Sequence, residues 1–577
     1  MIERNTQSFC GSARFDFVLS WPGLVAIVST LTIVRFWAAA HAGLSPAETY
    51  YWLWSQTPAL GYFDHPPMVA WWIWLSTRTL GDTALGIRVL PILSALVTSI
   101  AVFGIARQLY SAHSIALRAT LWFNAMILIG VGVILSTPDA PSTMFWALAV
   151  WALSAIWRTK RPWLWLLVGL FAGLGCVSKY TNLFLGIGIV AWMSVDPTAR
   201  RWLGSPWLWA GGFIALIIFL PVIMWNAQHD WISFSMQFGR LAAHQITLLY
   251  LGDFLVSQLG LLNPIIALFF VLAIAATLGA RSDSKPEASV FLLALMAPLA
   301  LYMIVHSFHD RVEPNWLAPL YPLVALLAAA SAENLVASPF RAWLAHAVVP
   351  LGSAVSVFAL LYLAAPFYLP LSFGTATEQF EGWHDFAVEI ELLRQRSDAS
   401  WIATVNYKVN AELAFYEQGL KPVRQITERE RYSPSPVDAT LTNQPGLLVM
   451  FEKQKASGRF DGCFASVEPI SVASRRGTNG AIQCYIVEQV VGASTDIISA
   501  GCYRHPRHQS VHPIAVLDET KCQDVWTKAV GGGNSLSYDK ASPYITNLKR
   551  ADPDNDNDIS KPEFMEVCKK GLVQEQS

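Results

Sequence analysis

Apolar residues come in long unbroken runs from Met1 to about Pro370, and in short alternating stretches from there to Ser577. A run of about 20 apolar residues is long enough to cross the hydrocarbon core as a helix. The runs predict about eleven spans: Phe17–Ala40, Arg88–Gln108, Ala116–Leu135, Thr143–Trp157, Trp163–Val177, Asn182–Ser194, Trp207–Trp225, Phe254–Ala280, Ala288–His306, Leu317–Ala332 and Trp343–Phe367. The two flanking Lys179 are short enough to be a re-entrant pair instead. Met68–Leu75 is too short to span and suits a helix lying in the interface. Ala38-Ala39-Ala40-His41-Ala42 resembles a cleavage site, but the stretch before it exceeds the roughly 7–15-residue core of a signal peptide, so an uncleaved first helix is expected.

Beyond residue 370 the pattern shifts to that of a soluble domain. Trp401–Tyr407 and Leu447–Glu452 read as strands, and Asn410–Gln418 as a helix stopped by Gly419. Ser466–Ala473 and Ala481–Glu488 flank Thr478-Asn479-Gly480, a hairpin signal. The expected division is a membrane domain over 1–370, an α/β domain over 371–495 and a tail over 496–577.

Composition agrees. The chain is 54% hydrophobic and 14% charged, against roughly 25% charged in soluble domains. The net charge of -1 gives no basic field for nucleic acid. Lys and Arg in short loops mark the cytoplasmic side. With Arg4 and Arg14 inside, Arg107, Arg118, Arg158, Lys160, Arg161, Arg200, Arg201, Arg281, Lys285 and Arg341 fall on that side. Glu48, Asp64, Asp82, Asp139, Asp230, Asp310 and Glu313 fall on the other. An odd span count then places the α/β domain outside, on the non-cytoplasmic face.

Single acids at loop ends are ordinarily solvated. Several carboxylates and a Lys set among apolar residues on one face point to chemistry, because ionisable groups near membrane depth are costly. Ala47-Glu48-Thr49-Tyr50-Tyr51-Trp52, followed by Tyr62-Phe63-Asp64-His65-Pro66-Pro67, resembles the first periplasmic loop of the bacterial family 39 glycosyltransferases. These are relatives of protein O-mannosyltransferases and lipid A aminoarabinose transferases, with the GT-C membrane fold. Thr137-Pro138-Asp139, Ser178-Lys179-Tyr180, Trp225-Asn226 and Pro314-Asn315-Trp316 follow in family order.

The resemblance implies a polytopic α-helical GT-C protein that moves a sugar from a polyprenyl-phosphate donor to an envelope acceptor, lipid A or lipopolysaccharide core, with membrane lipid around it. A loop carboxylate would deprotonate the acceptor and a cation would stabilise the departing phosphate. The family carries two adjacent acids in the first loop; here the first is Ala47, which leaves Glu48 as expected base, with Asp139 assisting and Asp64 as alternative. Tyr50, Tyr51, His65, Lys179, Arg88, Asn315 and Trp316 are the implied substrate-binding residues. Two other readings stay open, a transporter of lipid-linked sugar and a catalytically degenerate GT-C protein. A metal at the transferase site is left undecided, since no ligand-spaced His, Cys and Glu cluster stands there.

The tail carries Asp552-Pro553-Asp554-Asn555-Asp556-Asn557-Asp558-Ile559-Ser560-Lys561-Pro562-Glu563. Oxygen ligands at loop positions 1, 3 and 5, a backbone carbonyl at 7 and Glu at 12 form an EF-hand pattern for Ca²⁺. Asp552, Asp554, Asp556, Asp558 and Glu563 are its candidate ligands. Position 6 is Asn557 in place of Gly, and Gly531 through Asp539 reads as a degenerate partner hand. Five of the seven cysteines lie beyond residue 460. Cys463 with Cys484 and Cys502 with Cys522 are the suggested pairs, with Cys10 and Cys176 free, although spacing does not fix connectivity.

Overall fold

The computed structural model describes residues 17–238, 248–280, 286–335, 338–365, 375–417, 422–432, 443–452, 463–477, 482–492, 519–530, 535–541, 544–545 and 558–569, with single positions 441, 551 and 573. Among them, seven helices are long and apolar enough to cross a membrane: Trp21–His41, Ala84–Leu109, Asp139–Thr159, Pro206–Gln228, Glu287–His306, Pro314–Glu333 and Pro339–Ala364. Two bent pairs raise the count to nine if each is one span, His113–Ala125 with Ile127–Ile134 at 71° and Tyr250–Leu262 with Pro264–Gly279 at 108°. Leu164–Ser178 and Tyr180–Val195, beside Lys179, are apolar but shorter. The count by length is therefore seven to nine where the apolar runs suggested about eleven. The chain is a multi-pass membrane protein.

The bends have local causes. Pro264 cannot continue the preceding helix, and Asn263 turns the chain with a positive φ of 71°. At the other break Met126 is extended, and the Gly130 carbonyl accepts a hydrogen bond from the wholly buried Arg35 Nε at 3.2 Å. Arg35 Nη1 also donates to Asn124 Oδ1 at 3.1 Å, so the bend supplies two acceptors to the buried guanidinium. Helices Leu164–Ser178 and Pro206–Gln228 meet backbone to backbone: a Cβ on Gly169 would lie 1.9 Å from the Gly211 carbonyl oxygen. Small residues permit such approach where lipid gives helices no hydrophobic drive to associate.

The α/β domain is a five-stranded sheet. Its strands are β1 (Trp401–Thr404), β2 (Val423–Gln425), β3 (Gly446–Phe451), β4 (Ser466–Arg476) and β5 (Ile482–Val491), in the order β2-β1-β3-β5-β4. β1 pairs in parallel with β2 and β3, whereas β5 runs antiparallel to β3 and β4. The parallel β1–β2 pair needs a crossover, which helix Tyr407–Glu417 supplies. The period of two sorts side chains to opposite faces. Ile402, Leu447, Val449, Tyr485 and Val487 join helix residues Phe386, Ile390 and Leu413 in one core, while Trp401, Ala403, Leu448 and Met450 build a second. The Asn-Gly turn lies outside the described residues, but the two strands it was expected to join do pair, from Ser466↔Val491 to Arg476↔Ile482.

Helix Tyr407–Glu417 also seats the domain on the membrane part. Its Ala411 and Phe415, with Tyr432, pack against Tyr50, Trp52, Trp54 and Tyr62 of the first loop. In the tail, helices Glu519–Val530 and Lys561–Lys569 pack through Val525, Trp526, Phe564 and Val567, and β6 (Ser535–Ser537) pairs antiparallel with β7 (Asp558–Ser560). Cys522 bonds to Cys568, not Cys502, and Cys484 is a free thiol, so neither suggested pair forms. The two tail helices lie against each other, which brings those distant cysteines within bonding reach. Cys176 is free and buried as expected, and Cys10 lies outside the described residues.

Candidate functional site

The first loop begins with helix Pro46–Gln56. Ser45 caps it, and Glu48 at the third helical position reaches back to the Ser45 backbone N–H at 3.0 Å, closing a capping box. The same carboxylate binds the fully buried Arg88 through Nε at 2.7 Å and Nη2 at 2.8 Å, and accepts the Ser136 N–H at 3.2 Å. Burial alone would raise the Glu48 pKa, but the Arg88 charge and hydrogen bonds, with the two backbone N–H groups, outweigh it and hold it low. Arg88 further donates to the carbonyls of Ala39, Ala42 and Gly43. Glu48 and Arg88 thus tie the first loop to the helices, and neither reaches the cavity described next. This corrects the expectation of Glu48 as base and Arg88 as substrate ligand: both carboxylate oxygens are already engaged, out of reach of an acceptor hydroxyl.

The cavity has a volume of about 330 Å³ and is lined by Ala47, Tyr50, Tyr51, Asp64, His65 and Lys179 among others. Ala47, not its acidic neighbour, faces it. Two acid–cation pairs meet here. Lys179 Nζ donates to Asp139 Oδ1 at 2.6 Å, while Asn315 Nδ2 holds Asp139 Oδ2 at 2.5 Å. Asp64 Oδ2 accepts from Tyr50 Oη at 3.0 Å and from Arg431 Nη1 at 2.7 Å. Burial, reinforced by the Asp64 charge, pushes the Tyr50 and Tyr51 hydroxyls well above their ordinary values, so both stay protonated donors. Trp316 and His306, with ring centroids 5.8 Å apart and planes tilted by 45°, line another wall.

A second, mostly apolar cavity of about 110 Å³ adjoins on the far side of the Lys179–Asp139 pair, lined by Asp139, Asn315, Phe123, Leu128 and Val133. Helix Asp139–Thr159 presents Asp139 in its first turn and Arg158 in its last, and Lys179 follows the final residue of Leu164–Ser178. The site residues and the basic loops therefore occupy opposite ends of the same helices.

The architecture superposes on solved structures of ArnT from Cupriavidus metallidurans. Against the form bound to undecaprenyl phosphate the TM-score is 0.58 at 14% identity, covering 81% of this chain and 98% of that one. Against the apo form it is 0.57. Residues 64–225 match the family described as dolichyl-phosphate-mannose-protein mannosyltransferase. The chain has the GT-C fold. A curated relative, the lipid A galacturonosyltransferase RgtD of Rhizobium johnstonii, is 27% identical over 288 residues, or 49% of this chain. The match spans 59% of that relative's length.

In this GT-C protein Asp64, Asp139, Tyr50, Tyr51, His65, Lys179, Asn315 and Trp316 gather at the two adjoining cavities, while Glu48 and Arg88 do not. Sequence reading missed Tyr407 and Arg431, which reach the cavity from the α/β domain. Arg429-Glu430-Arg431 looks like any charged turn, and no local pattern marks it. Of the EF-hand positions, Asp552, Asp554 and Asp556 lie outside the described residues, whereas Asp558 closes strand pairing in β7 and Glu563 opens the last helix.

Proposed function

We propose that this GT-C protein transfers a sugar from a polyprenyl-phosphate donor to lipid A or lipopolysaccharide core. The observation that carries this reading is the cavity where the Asp64–Arg431 and Asp139–Lys179 pairs meet, at the helix ends opposite the basic loops. The proposal sets the site and the α/β domain on the periplasmic side and the N-terminus in the cytoplasm, a reading supported by the basic short loops at the other helix ends. The RgtD and ArnT likenesses supply the donor and acceptor classes. In the proposed step Asp64 takes the proton of an acceptor hydroxyl, whose oxygen bonds to the anomeric carbon. The carbon–oxygen bond to the lipid phosphate breaks, and its electron pair leaves with the phosphate. Lys179, held by Asp139 and Asn315, stabilises that anion; fixed charge aimed at a developing charge is a large catalytic term.

The test is the mass of lipid A and core oligosaccharide from cells with and without the gene. A sugar-sized loss in the knockout, restored by the wild-type gene and not by Lys179→Gln, supports the transferase. An unchanged envelope glycan profile sinks it and leaves the degenerate reading.

We propose in addition that the tail binds Ca²⁺ through Asp552, Asp554, Asp556, Asp558 and Glu563. Support comes from the ligand spacing and from Ile559, at loop position 8, pairing with Leu536 as paired hands do. Glu563 Oε2 accepts from Ser560 N at 2.8 Å and Ser560 Oγ at 2.6 Å, which holds the position-12 carboxylate beside the loop end. Titration of the full-length protein with Ca²⁺ is expected to give a dissociation constant of about 10⁻⁴–10⁻³ M, typical of extracellular hands. Binding should fall at least about tenfold in Glu563→Gln, where one charge-assisted ligand is lost; equal affinity in that variant would rule the loop out.

A further inference from the structure

Arg431 comes from a short turn, Arg429–Tyr432, in the domain that follows the last membrane helix, yet it stands in the cavity wall beside Asp64, His65 and Lys179. Its guanidinium lies between two aromatic rings, with its central carbon 4.8 Å from the centroids of both Phe63 and Tyr407. Nε donates to Glu428 Oε2 at 2.8 Å, and Nη1 donates to Asp64 Oδ2 at 2.7 Å. An arginine carries five N–H donors in a rigid plane, and the bonds to Glu428 and Asp64 use two. The rings and Glu428 fix the plane of the group. The contact with Asp64 is the part that can change partner without moving the rest.

The pair has a consequence for the proposed reaction, on which this inference rests. Asp64 Oδ2 already accepts from Tyr50 and Arg431, so that oxygen is engaged by the protein's own side chains. A lipid phosphate entering the same cavity is an anion that a guanidinium fork matches at least as well as a carboxylate. We propose that Arg431 is an exchangeable counter-ion: it holds Asp64 until the donor phosphate arrives, then turns to the phosphate and releases Asp64 to receive the acceptor's proton. The α/β domain thereby couples donor binding to exposure of the base. During transfer the electron pair of the broken carbon–oxygen bond goes to the phosphate, which Arg431 and Lys179 then both face, and the acceptor's proton goes to Asp64.

The exchange makes opposite predictions for the two members of the pair. Equilibrium binding of a polyprenyl phosphate, without sugar or acceptor, is measured on the full-length protein in lipid nanodiscs. Arg431→Gln should weaken binding about 10–100-fold, the range for a charge-assisted hydrogen bond to an anion. Arg431→Lys keeps the charge but not the fork and should fall between that variant and wild type. Asp64→Asn removes the competitor for the guanidinium and should tighten binding about 3–10-fold, the scale of one partly exposed ion pair. Should Arg431→Gln fail to fold, the Asp64→Asn arm decides alone. Unchanged binding in Arg431→Gln, or weaker binding in Asp64→Asn, overturns the exchange and leaves the pair as a seat for the domain. No binding by the wild type overturns the donor reading and this inference with it.

Discussion

Asp64→Asn is expected to cut sugar transfer about 10²–10⁴-fold, the usual contribution of a positioned general base, while the protein still folds and inserts. The carboxylates that line the main cavity among the described residues are Asp64 and Glu313. Glu313 is half exposed and pairs with Arg311, also exposed. Asp139 is committed to Lys179 and Asn315. Asp64 alone combines a cavity position with partners that could let go. Asparagine keeps its shape and can still accept from Tyr50, so fold loss is not the expected cause. The measurement is turnover of purified protein with a polyprenyl-phosphate sugar and a lipid A acceptor. A variant with wild-type turnover would move the base elsewhere, with Asp139→Asn the next to test.

The second large effect is on stability. Glu48→Ala should cost about 3–5 kcal/mol, because it strands the Arg88 guanidinium in a site with no access to water. The capping box and the contact to Ser136 go with it. Removing both charges, as in Glu48→Leu with Arg88→Met, should recover much of that loss, since a buried pair competes poorly with well-packed apolar groups. Thermal unfolding in detergent reads both. The pH dependence follows from the depressed Glu48 pKa. A carboxylate bound more tightly when charged contributes fully above its unfolded value of about 4.5. That contribution is lost as pH falls through the lower folded value, so wild type should lose stability in acid below about 4.5 and the doubly apolar variant should lose less. Equal acid sensitivity in the two proteins would mean that Glu48 is not the group responsible.

The membrane helices were readable because each depends on its own run of apolar residues. Even so, the break at Met126 is weakly marked, since Ala125–Leu135 is an apolar run and the polar Asn124 before it gains its meaning only once Arg35 is seen bonded to Asn124 and to the Gly130 carbonyl. Four strands of the sheet were readable, and Trp401, Gly446 and Ile482 begin within a residue of where the pattern puts them, while the three-residue β2 was too short to show. The site was half readable. Asp64, Lys179 and Asn315 stand in motifs at helix ends. Glu48 misled because adjacent residues on a helix face different directions: Ala47 turns to the cavity and Glu48 to Arg88. Arg431 could not be read at all, because its meaning comes from a partner 367 positions away.

That separation also sets an order of events during synthesis. When the ribosome completes helix Pro339–Ala364, the membrane bundle is whole, but the codons for Tyr407 and Arg431 have yet to be translated. The aromatic seat on Tyr50, Trp52 and Trp54 stays uncovered until helix Tyr407–Glu417 docks. A nascent chain halted at the end of the bundle is thus inserted yet lacks one wall of its cavity, so assembly of the proposed site waits for residues 407–431 to arrive.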